Sequence, residues 1–376
     1  MKKTRSTNIE LLRIVMILIV IAHHYVVNSG ILKLYDLRLL SGNRIFIQIF
    51  GCGGKIAINC FLIISGYFMC QSTATLLKWL KLFLELMFYN VVLNVLFLII
   101  GYNPLGTGAL YRGFFTFFQN LGTGRDVYTS LFLILFLLSP FLNKLIATMK
   151  GREYAILLGI LLFVYTIIST FYIRKIDTGW IAVDNWEGIG WYVTVYLIGG
   201  FIRLHLPQKL DSLLTGVISS LISATLVATS IVLIDIIGAK RNFISAYHFV
   251  YGSNKLLAIV TAISIFILFK NINIKNNKVI NLFASTTFGV LLIHGNSDTM
   301  RNFLWNDLFR NASYYEENKG IAIWHPILCV LTVYVICAGI DLCRQFFLEV
   351  PLFKRLEKVK FLTVPLYKWE KTKKEI

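Results

Sequence analysis

Charged side chains are scarce in this sequence: Asp, Glu, Lys and Arg make up 15% of its 376 residues, against about 25% in an ordinary soluble domain. Apolar residues make up 57%, and the mean hydropathy is +0.70. A soluble fold of this composition could not cover its surface with polar groups. The composition therefore excludes a soluble globular domain and a disordered chain, and it predicts a polytopic membrane protein.

Acidic residues are few even among the charged ones, 19 against 37 basic residues, which gives a formal net charge of +18. In a soluble protein such an excess would indicate nucleic-acid binding. In a membrane protein, basic residues crowd the cytoplasmic ends of the helices. We therefore expect the lipid bilayer, and no nucleic acid, to be the partner of these charges.

The cysteines follow no functional pattern. They form no Cys-x-x-Cys pair and no zinc-ligand spacing, and they lie almost entirely in apolar runs. The six are Cys52, Cys60, Cys70, Cys329, Cys337 and Cys343. This excludes a disulfide framework, predicts no metal site and indicates reduced packing residues.

Apolar runs of membrane-spanning length recur along the whole chain. A transmembrane helix needs about 20 mostly apolar residues, and ten segments meet that requirement: 9–28, 52–71, 80–101, 127–148, 154–173, 189–205, 212–237, 255–271, 279–297 and 321–344. The second is the weakest, because three glycines and a lysine interrupt its start. The sequence thus predicts an all-α polytopic integral membrane bundle of about ten transmembrane helices.

The charges of the loops predict the orientation of this bundle. Basic residues concentrate on one side, whereas the loops 174–188 and 298–320 on the other side have mixed charge. The positive-inside rule then places both termini in the cytoplasm. Residues 1–349 would form the membrane domain, and the basic tail 350–376 would lie on the anionic inner leaflet. The aromatic segment 111–119 is predicted to be a short interfacial helix on the outer side.

The first span carries ionisable residues, which are costly inside a membrane and by default indicate function. Arg13 and His24 are eleven residues apart, which leaves an angular offset of about 20° and a rise of roughly 16 Å, so both lie on one helix face. Glu10 lies one turn before Arg13 and is placed to pair with it. His23 points about 80° away from that face and is interpreted as a packing histidine.

These residue types fit one chemistry. A guanidinium near the cytoplasmic mouth suits a phosphate group, and a deeper histidine suits proton transfer in a dry cavity. Arg13 and Glu10 are therefore expected to bind acyl-CoA at its nucleotide end, and His24 to act as the catalytic base where the thioester arrives. The alternative for Arg13 is a charge that reaches the interface and only sets topology.

Three further acidic residues in the spans are interpreted as structural. Glu85 has Lys81 one turn away, and Asp341 has Arg344 three residues away. Each pair is expected to neutralise itself. Asp235 lies near a helix end and is expected to be solvated.

Short motifs in four spans resemble those of the bacterial membrane acyltransferase family 3. Arg13, ten residues and His24 resemble its Arg-x10-His signature. Residues 61–68, Phe-Leu-Ile-Ile-Ser-Gly-Tyr-Phe, resemble its Phe-Phe-x-x-Ser-Gly-Phe/Tyr motif. Residues 288–294, Phe-Gly-Val-Leu-Leu-Ile-His, resemble its Tyr-Gly-x-Tyr-Leu-x-His motif, and residues 131–140 resemble its central span. Their order and spacing over residues 5–345 carry the resemblance.

The resemblance implies an enzyme, because the family includes O-acetyltransferases of O-antigen, exopolysaccharide, capsule and peptidoglycan. Residues 1–349 would be the acyltransferase domain, located in the bacterial cytoplasmic membrane. The implied donor is acyl-CoA, usually acetyl-CoA, with no bound cofactor. The implied partners are a carbohydrate or lipid-linked glycan acceptor and other polysaccharide-assembly proteins. Ser65, Tyr67 and His294, which lie in the matched motifs, become candidates for a cavity or acceptor site. The alternatives are close helix packing for Ser65 and a helix cap for His294.

Two departures from the family pattern concern that acceptor site. Val127 and Tyr128 stand where a tryptophan is common, and Leu291 stands where tyrosine is usual. Neither position belongs to the proposed pair Arg13 and His24.

A carbohydrate O-acyltransferase competes with two other functions. A transporter or flippase of lipid-linked sugars would also have ten spans with charge inside the membrane, but it predicts inverted repeats and broken midplane helices that the sequence does not display. A polysaccharide polymerase would need larger outer loops. Acyl-CoA-dependent modification of the cell's glycans would separate the enzyme from both.

Overall fold

The computed structural model describes residues 6–34, 41–115, 128–171, 188–241, 246–317 and 323–367. Within these ranges the chain is helical and forms no β-sheet, apart from an isolated bridge between Thr75 and Pro365. Three predicted segments lie wholly or partly outside the described residues: residues 174–187 of the loop 174–188, residues 116–119 of the segment 111–119, and the last nine residues of the tail.

The helices are numbered in chain order. They are α1 (Thr7–Val27), α2 (Gly42–Gly51), α3 (Gly54–Met69), α4 (Leu76–Ile99), α5 (Thr107–Phe114), α6 (Tyr128–Thr148), α7 (Gly151–Phe171), α8 (Ile189–Leu204), α9 (Leu213–Arg241), α10 (Leu256–Asn271), α11 (Lys278–Ala284), α12 (Thr287–His294), α13 (Asp298–Asn302), α14 (Asn311–Glu317), α15 (Trp324–Leu356) and α16 (Lys360–Thr363). A π-turn, Phe303–Leu308, follows α13 directly.

Each of the ten predicted apolar segments coincides with a helix or a pair of helices. Among the described residues, seven helices are long and apolar enough to cross a membrane, or eight if one bent pair is a single span. Two further apolar helices, α8 and α10, are 16 residues long. The all-α, multi-pass membrane architecture is therefore confirmed, whereas the number of ten spans and the side of each terminus remain predictions.

The structure differs from the helices and loops predicted by hydropathy in four places. Helix α2 was not predicted, because its polar residues keep this segment from reading as an apolar run. The ninth predicted span divides into α11 and α12, and residues 298–317, expected to be a loop, are largely helical. The predicted interfacial helix 111–119 begins earlier, as α5, and its residues 116–119 lie outside the described part of the chain. Helix α15 runs through position 349, and the division between a membrane domain, 1–349, and a tail, 350–376, remains a prediction.

Helix α1 lies in the middle of the bundle and contacts α2, α3, α10, α11, α12 and α15. Glycines permit its close approach to the α2–α3 junction. A Cβ at Gly53 would fall 2.4 Å from the Ile19 side chain, and one at Gly54 would fall 2.3 Å from the His23 ring. The glycines that weaken the second apolar run are thus the residues on which α1 packs.

An ion pair buried at one end of the bundle holds α2 in place. The Arg44 guanidinium lies 2.7 Å from the Asp235 carboxylate on α9, and both side chains are nearly inaccessible. The expectation that Asp235 is solvated was wrong, because Arg44 and the Gln48 amide satisfy its charge inside the protein.

Helix α3 packs closely against α8. A Cβ at Gly66 would lie 2.1 Å from the Tyr196 carbonyl oxygen, and one at Gly199 would lie 2.4 Å from the Ile63 carbonyl oxygen. Only residues without side chains permit this approach, which small residues provide in membrane bundles. Helix α3 is therefore held rigidly between α1 and α8.

Candidate functional site

A cavity of about 250 Å³ lies between α1, α3, α4, α6 and α12. Its walls are apolar or aromatic except for Arg13 and three hydroxyl-bearing residues. The lining residues are Arg13, Ile17, Phe61, Ile64, Ser65, Phe68, Met69, Leu82, Tyr128, Phe132, Phe136, Thr287, Phe288 and Leu291. All four segments that carried the family resemblance thus contribute residues to one cavity, with Arg13 as the charged residue in its wall.

Arg13 enters this cavity instead of pairing along its own helix. The predicted ion pair with Glu10 is not formed: no bond between the two is found among the described residues, and the Glu10 Oε2 and Arg13 Nε atoms are buried without hydrogen-bond partners there. A guanidinium that projects between α3 and α6 cannot also fold back one turn onto Glu10. The Arg13 charge is consequently available to an anionic ligand.

Two of the predicted cavity residues, Ser65 and Tyr67, differ in whether they line the cavity. Ser65 lines the cavity and donates its hydroxyl to the Phe61 carbonyl at 2.8 Å. Tyr67 does not line it: its hydroxyl accepts a hydrogen bond from Arg203, whose guanidinium also lies over the Tyr67 ring. Since Ser65 and Tyr67 are two residues apart, they point to nearly opposite sides of α3. Tyr67 therefore holds α8 rather than forming a wall of the cavity.

Pro140 shapes the helix that carries the aromatic wall. Proline has no N–H to continue the helical hydrogen-bond ladder, so the carbonyl four residues earlier loses its usual partner. That carbonyl belongs to Phe136, and the Ser139 hydroxyl donates to it at 2.7 Å. A serine before the proline thus keeps α6 intact beside the cavity.

His24 and His294 are brought together by the fold, although 270 positions separate them in the sequence. Their ring centroids are 5.0 Å apart. His294 is fully buried at the end of α12, and its Nδ1 lies 2.6 Å from the Val290 carbonyl oxygen. Because a carbonyl only accepts, Nδ1 of His294 carries the hydrogen, and Nε2 of the neutral ring holds a lone pair. Neither His294 Nε2 nor His24 Nδ1 has a partner among the described residues.

His23 has a different environment from its neighbour. Its Nδ1 lies 2.6 Å from the Gly51 carbonyl oxygen, so it donates a hydrogen bond to the end of α2. Its ring also packs on Gly54. These contacts agree with the interpretation of His23 as a packing histidine and leave His24 as the reactive candidate.

The histidine pair lies beyond one end of the cavity. Ile17 and Leu291 line it, whereas neither histidine does. Leu291 precedes His294 by one helical turn, about 4.5 Å, and Ile17 precedes His24 by two turns, about 10 Å. Arg13 therefore lines the cavity, and His24 lies past its end on the same helix.

Three asparagines near the histidine pair were missed by the search for ionisable residues. The Asn296 amide donates to Asn90 Oδ1 at 3.1 Å, and the Asn94 amide donates to the Asn90 carbonyl at 2.6 Å. Asn94 and Asn296 are also within 3.4 Å of each other. The spacing of Asn90 and Asn94, one turn apart in an apolar span, was the available signal. Together the three form an amide cluster.

A second polar group, near the other end of α4, is structural. Arg344 makes ion pairs with Glu85 at 2.9 Å, Asp341 at 2.8 Å and Glu349 at 2.8 Å. The predicted pairing of Asp341 with Arg344 is confirmed. The predicted pairing of Glu85 with Lys81 was wrong, because Lys81 reaches Glu349 instead. These contacts join α4 to α15.

No metal centre is evident among the described residues, which contain no group of three His, Cys, Asp or Glu side chains placed to hold a metal ion.

Comparison with known families agrees with the motifs that converge on the cavity. A family model described as an acyltransferase domain, of acyltransferase family 3, matches residues 6–343. This range covers nearly the whole chain and includes α1, α3 and α12 with their site residues. The comparisons with curated proteins and with solved structures found no match. The chain belongs to acyltransferase family 3, and it is a multi-pass membrane acyltransferase.

Proposed function

We propose that this protein transfers an acyl group, expected to be acetyl, from acyl-CoA to a hydroxyl group of a cell-surface carbohydrate such as exopolysaccharide, capsule or O-antigen. The observation that carries the proposal is the arrangement along α1. Arg13, a lone charge, lines an apolar cavity, and His24, on the same helix face, contacts His294 beyond that cavity. The same proposal places the protein in the bacterial cytoplasmic membrane.

Arg13 and the cavity suit the donor. A guanidinium is always charged and can bind a phosphate through two hydrogen bonds. The aromatic walls formed by Phe61, Phe132 and Phe288 suit the uncharged arm that links the nucleotide to the thioester. Glu10, which does not pair with Arg13, is a weaker candidate for donor binding, since a carboxylate repels phosphate.

His24 supplies the proton transfer. Its imidazole removes the proton from the acceptor hydroxyl as the oxygen attacks the thioester carbonyl carbon. A carbon–oxygen bond forms, the carbon–sulfur bond breaks, and the departing CoA thiolate receives the proton from His24. A covalent acyl-histidine is the less favoured variant. His294, whose Nδ1 donates to the Val290 carbonyl, packs beside the His24 ring and keeps its Nε2 lone pair without a described partner.

The break between α12 and α13 is a feature that a transporter would also have. These two segments of chain meet at 94° across residues 295–297. The family match over residues 6–343 favours the enzyme over a flippase. The carbohydrate acceptor and other polysaccharide-assembly proteins are therefore proposed as partners, with acyl-CoA as the donor.

The donor site is tested by the substitution Arg13→Ala. A hydrogen bond to a charged group contributes about 1.5–3 kcal/mol, so acyl-CoA should bind roughly 10- to 150-fold more weakly, as measured by calorimetry on protein in nanodiscs. Arg13→Lys should restore binding only in part, because the fork geometry is lost. Arg203→Ala is the matched control, since Arg203 binds Tyr67 outside the cavity. Parental affinity in Arg13→Ala would reduce Arg13 to a topology signal.

A further inference from the structure

We propose that the amide cluster of Asn90, Asn94 and Asn296 is the acceptor subsite and binds the hydroxyl groups of an uncharged sugar beside His24. This inference rests on the proposed function and adds to it the location and chemistry of acceptor binding. It is independent of Arg13, because the cluster lies with the histidine pair, beyond the far end of the cavity.

The cluster adjoins His24 through Gly295. A Cβ at Gly295 would fall 3.4 Å from Cε1 of His24, so the Gly295 backbone rests on the edge of that ring. Asn296 is the next residue, with its Cα about 3.8 Å further along the chain. Asn296 in turn binds Asn90 on α4. A ligand held by these amides would place its hydroxyls next to the imidazole.

The amides are buried with unused hydrogen-bonding capacity. Asn90 and Asn94 are 1% and 0% exposed, and Asn296 is 7% exposed. Within the described part of the chain, Asn90 Nδ2, Asn94 Oδ1 and His294 Nε2 have no hydrogen-bond partner. Each unsatisfied buried group costs about 1–3 kcal/mol. Three such groups at one place in a membrane bundle indicate a ligand that completes their hydrogen bonds.

The chemistry of the cluster selects the class of ligand. An amide offers both a donor and an acceptor, and a sugar hydroxyl requires both. The three side chains carry no charge, so they match a neutral polyhydroxyl ligand better than the phosphates of the donor. Donor and acceptor would thus approach His24 from opposite ends of α1.

A purely structural role for the amides would be to hold the break at residues 295–297 against α4. That role predicts loss of folded protein when an amide is removed. An acceptor site predicts instead a change in acceptor affinity at normal folding. Helix α5 packs against one side of the amide cluster, since a Cβ at Gly113 would lie 2.1 Å from Asn94 Oδ1.

The two roles are separated by steady-state kinetics on the full chain in nanodiscs. The probes are acetyl-CoA and four methyl glycosides, of glucose, galactose, mannose and N-acetylglucosamine, with acetylated sugar measured by mass spectrometry. The variants are Asn90→Ala, Asn94→Ala and the more conservative Asn94→Ser. Asn143→Ala is the control, because this amide binds Tyr196 and the Met69 carbonyl away from the cluster.

Each alanine variant should raise the KM for the sugar about 2- to 13-fold, as expected for one lost neutral hydrogen bond. The KM for acetyl-CoA should stay unchanged, Asn94→Ser should recover part of the loss, and Asn143→Ala should behave as the parent. An unchanged sugar KM in both alanine variants, or a loss seen only as reduced folded protein in all three variants, would overturn the subsite. If the parent acetylates none of the glycosides, the carbohydrate proposal itself is overturned.

Discussion

Replacing His24 with alanine tests which of two adjacent histidines on α1 carries the reaction. Removal of a general base lowers the rate about 10²–10⁴-fold. His24 Nδ1 has no hydrogen-bond partner among the described residues, and the ring contacts His23, His294 and Gly295. The variant should therefore fold and bind acyl-CoA almost as the parent does while losing transfer.

The matched substitution is His23→Ala, for which the structure predicts the opposite pattern. The hydrogen bond from His23 Nδ1 to the Gly51 carbonyl would be lost, at about 0.5–1.5 kcal/mol. The ring also fills the space above Gly54, so its removal leaves a gap with a further cost. We expect a loss of stability of about 1–3 kcal/mol with near-parental activity per folded molecule.

The assay measures folded protein by size-exclusion chromatography in detergent, together with acyl transfer and acyl-CoA binding on the same samples. An inactive, well-folded His23→Ala alongside an active His24→Ala would refute the assignment of helix faces. Full activity in both variants would move the reaction away from α1 and make His294 the leading candidate.

Three further predictions concern stability and topology. Arg344→Met should destabilise the protein by about 3–5 kcal/mol, because it leaves the buried carboxylates of Glu85 and Asp341 without their cation, whereas Glu349 keeps Lys81. Thermal unfolding in detergent should show a much smaller effect for Lys81→Met, whose ammonium is half exposed. Partial burial raises the pKa of Asp211. Hydrogen bonds from Lys270 and Asn271 lower that pKa by more than burial raises it, so it lies below the usual value for an aspartate. Asp211 should therefore stabilise the fold above about pH 4 and lose this contribution as the pH falls; Asp211→Asn should flatten that part of the stability–pH curve. Reporter fusions at positions 180 and 315 should lie outside and those at 150 and 275 inside; an outside C-terminus would contradict the arrangement.

Hydropathy located the membrane helices because lipid cannot satisfy backbone polar groups, which forces every spanning segment into a helix. It missed α2 because Arg44 and Gln48 make that segment look like a loop. The burial of Arg44 and Gln48 depends on Asp235, which follows Arg44 by 191 positions in the sequence. A contact over that separation leaves no local periodicity to detect.

Helical geometry also predicted part of the site. Arg13 and His24 share a face because both lie on one helix, and their relation follows from its period. The contact between His24 and His294 depends on how α12 packs against α1, and single-sequence reasoning could name both residues without joining them. The ion pair predicted between Glu10 and Arg13 is absent for the same reason. Sequence spacing alone does not show that Arg13 lines a cavity formed with α3 and α6 instead of contacting Glu10.

The break at residues 295–297 explains why the polar groups gather there. A helix that ends inside an apolar bundle leaves backbone groups that need hydrogen-bond partners. Here the protein satisfies several of them: the Gly295 N–H bonds the Leu291 carbonyl, and the Ser297 hydroxyl accepts from the Met300 N–H at the start of α13. With the backbone supported in this way, α12 can end at His294 and the chain can turn past the His24 ring. A straight span would carry residue 296 onward along its own axis, whereas the turn directs Asn296 to α4, where the acceptor is proposed to bind.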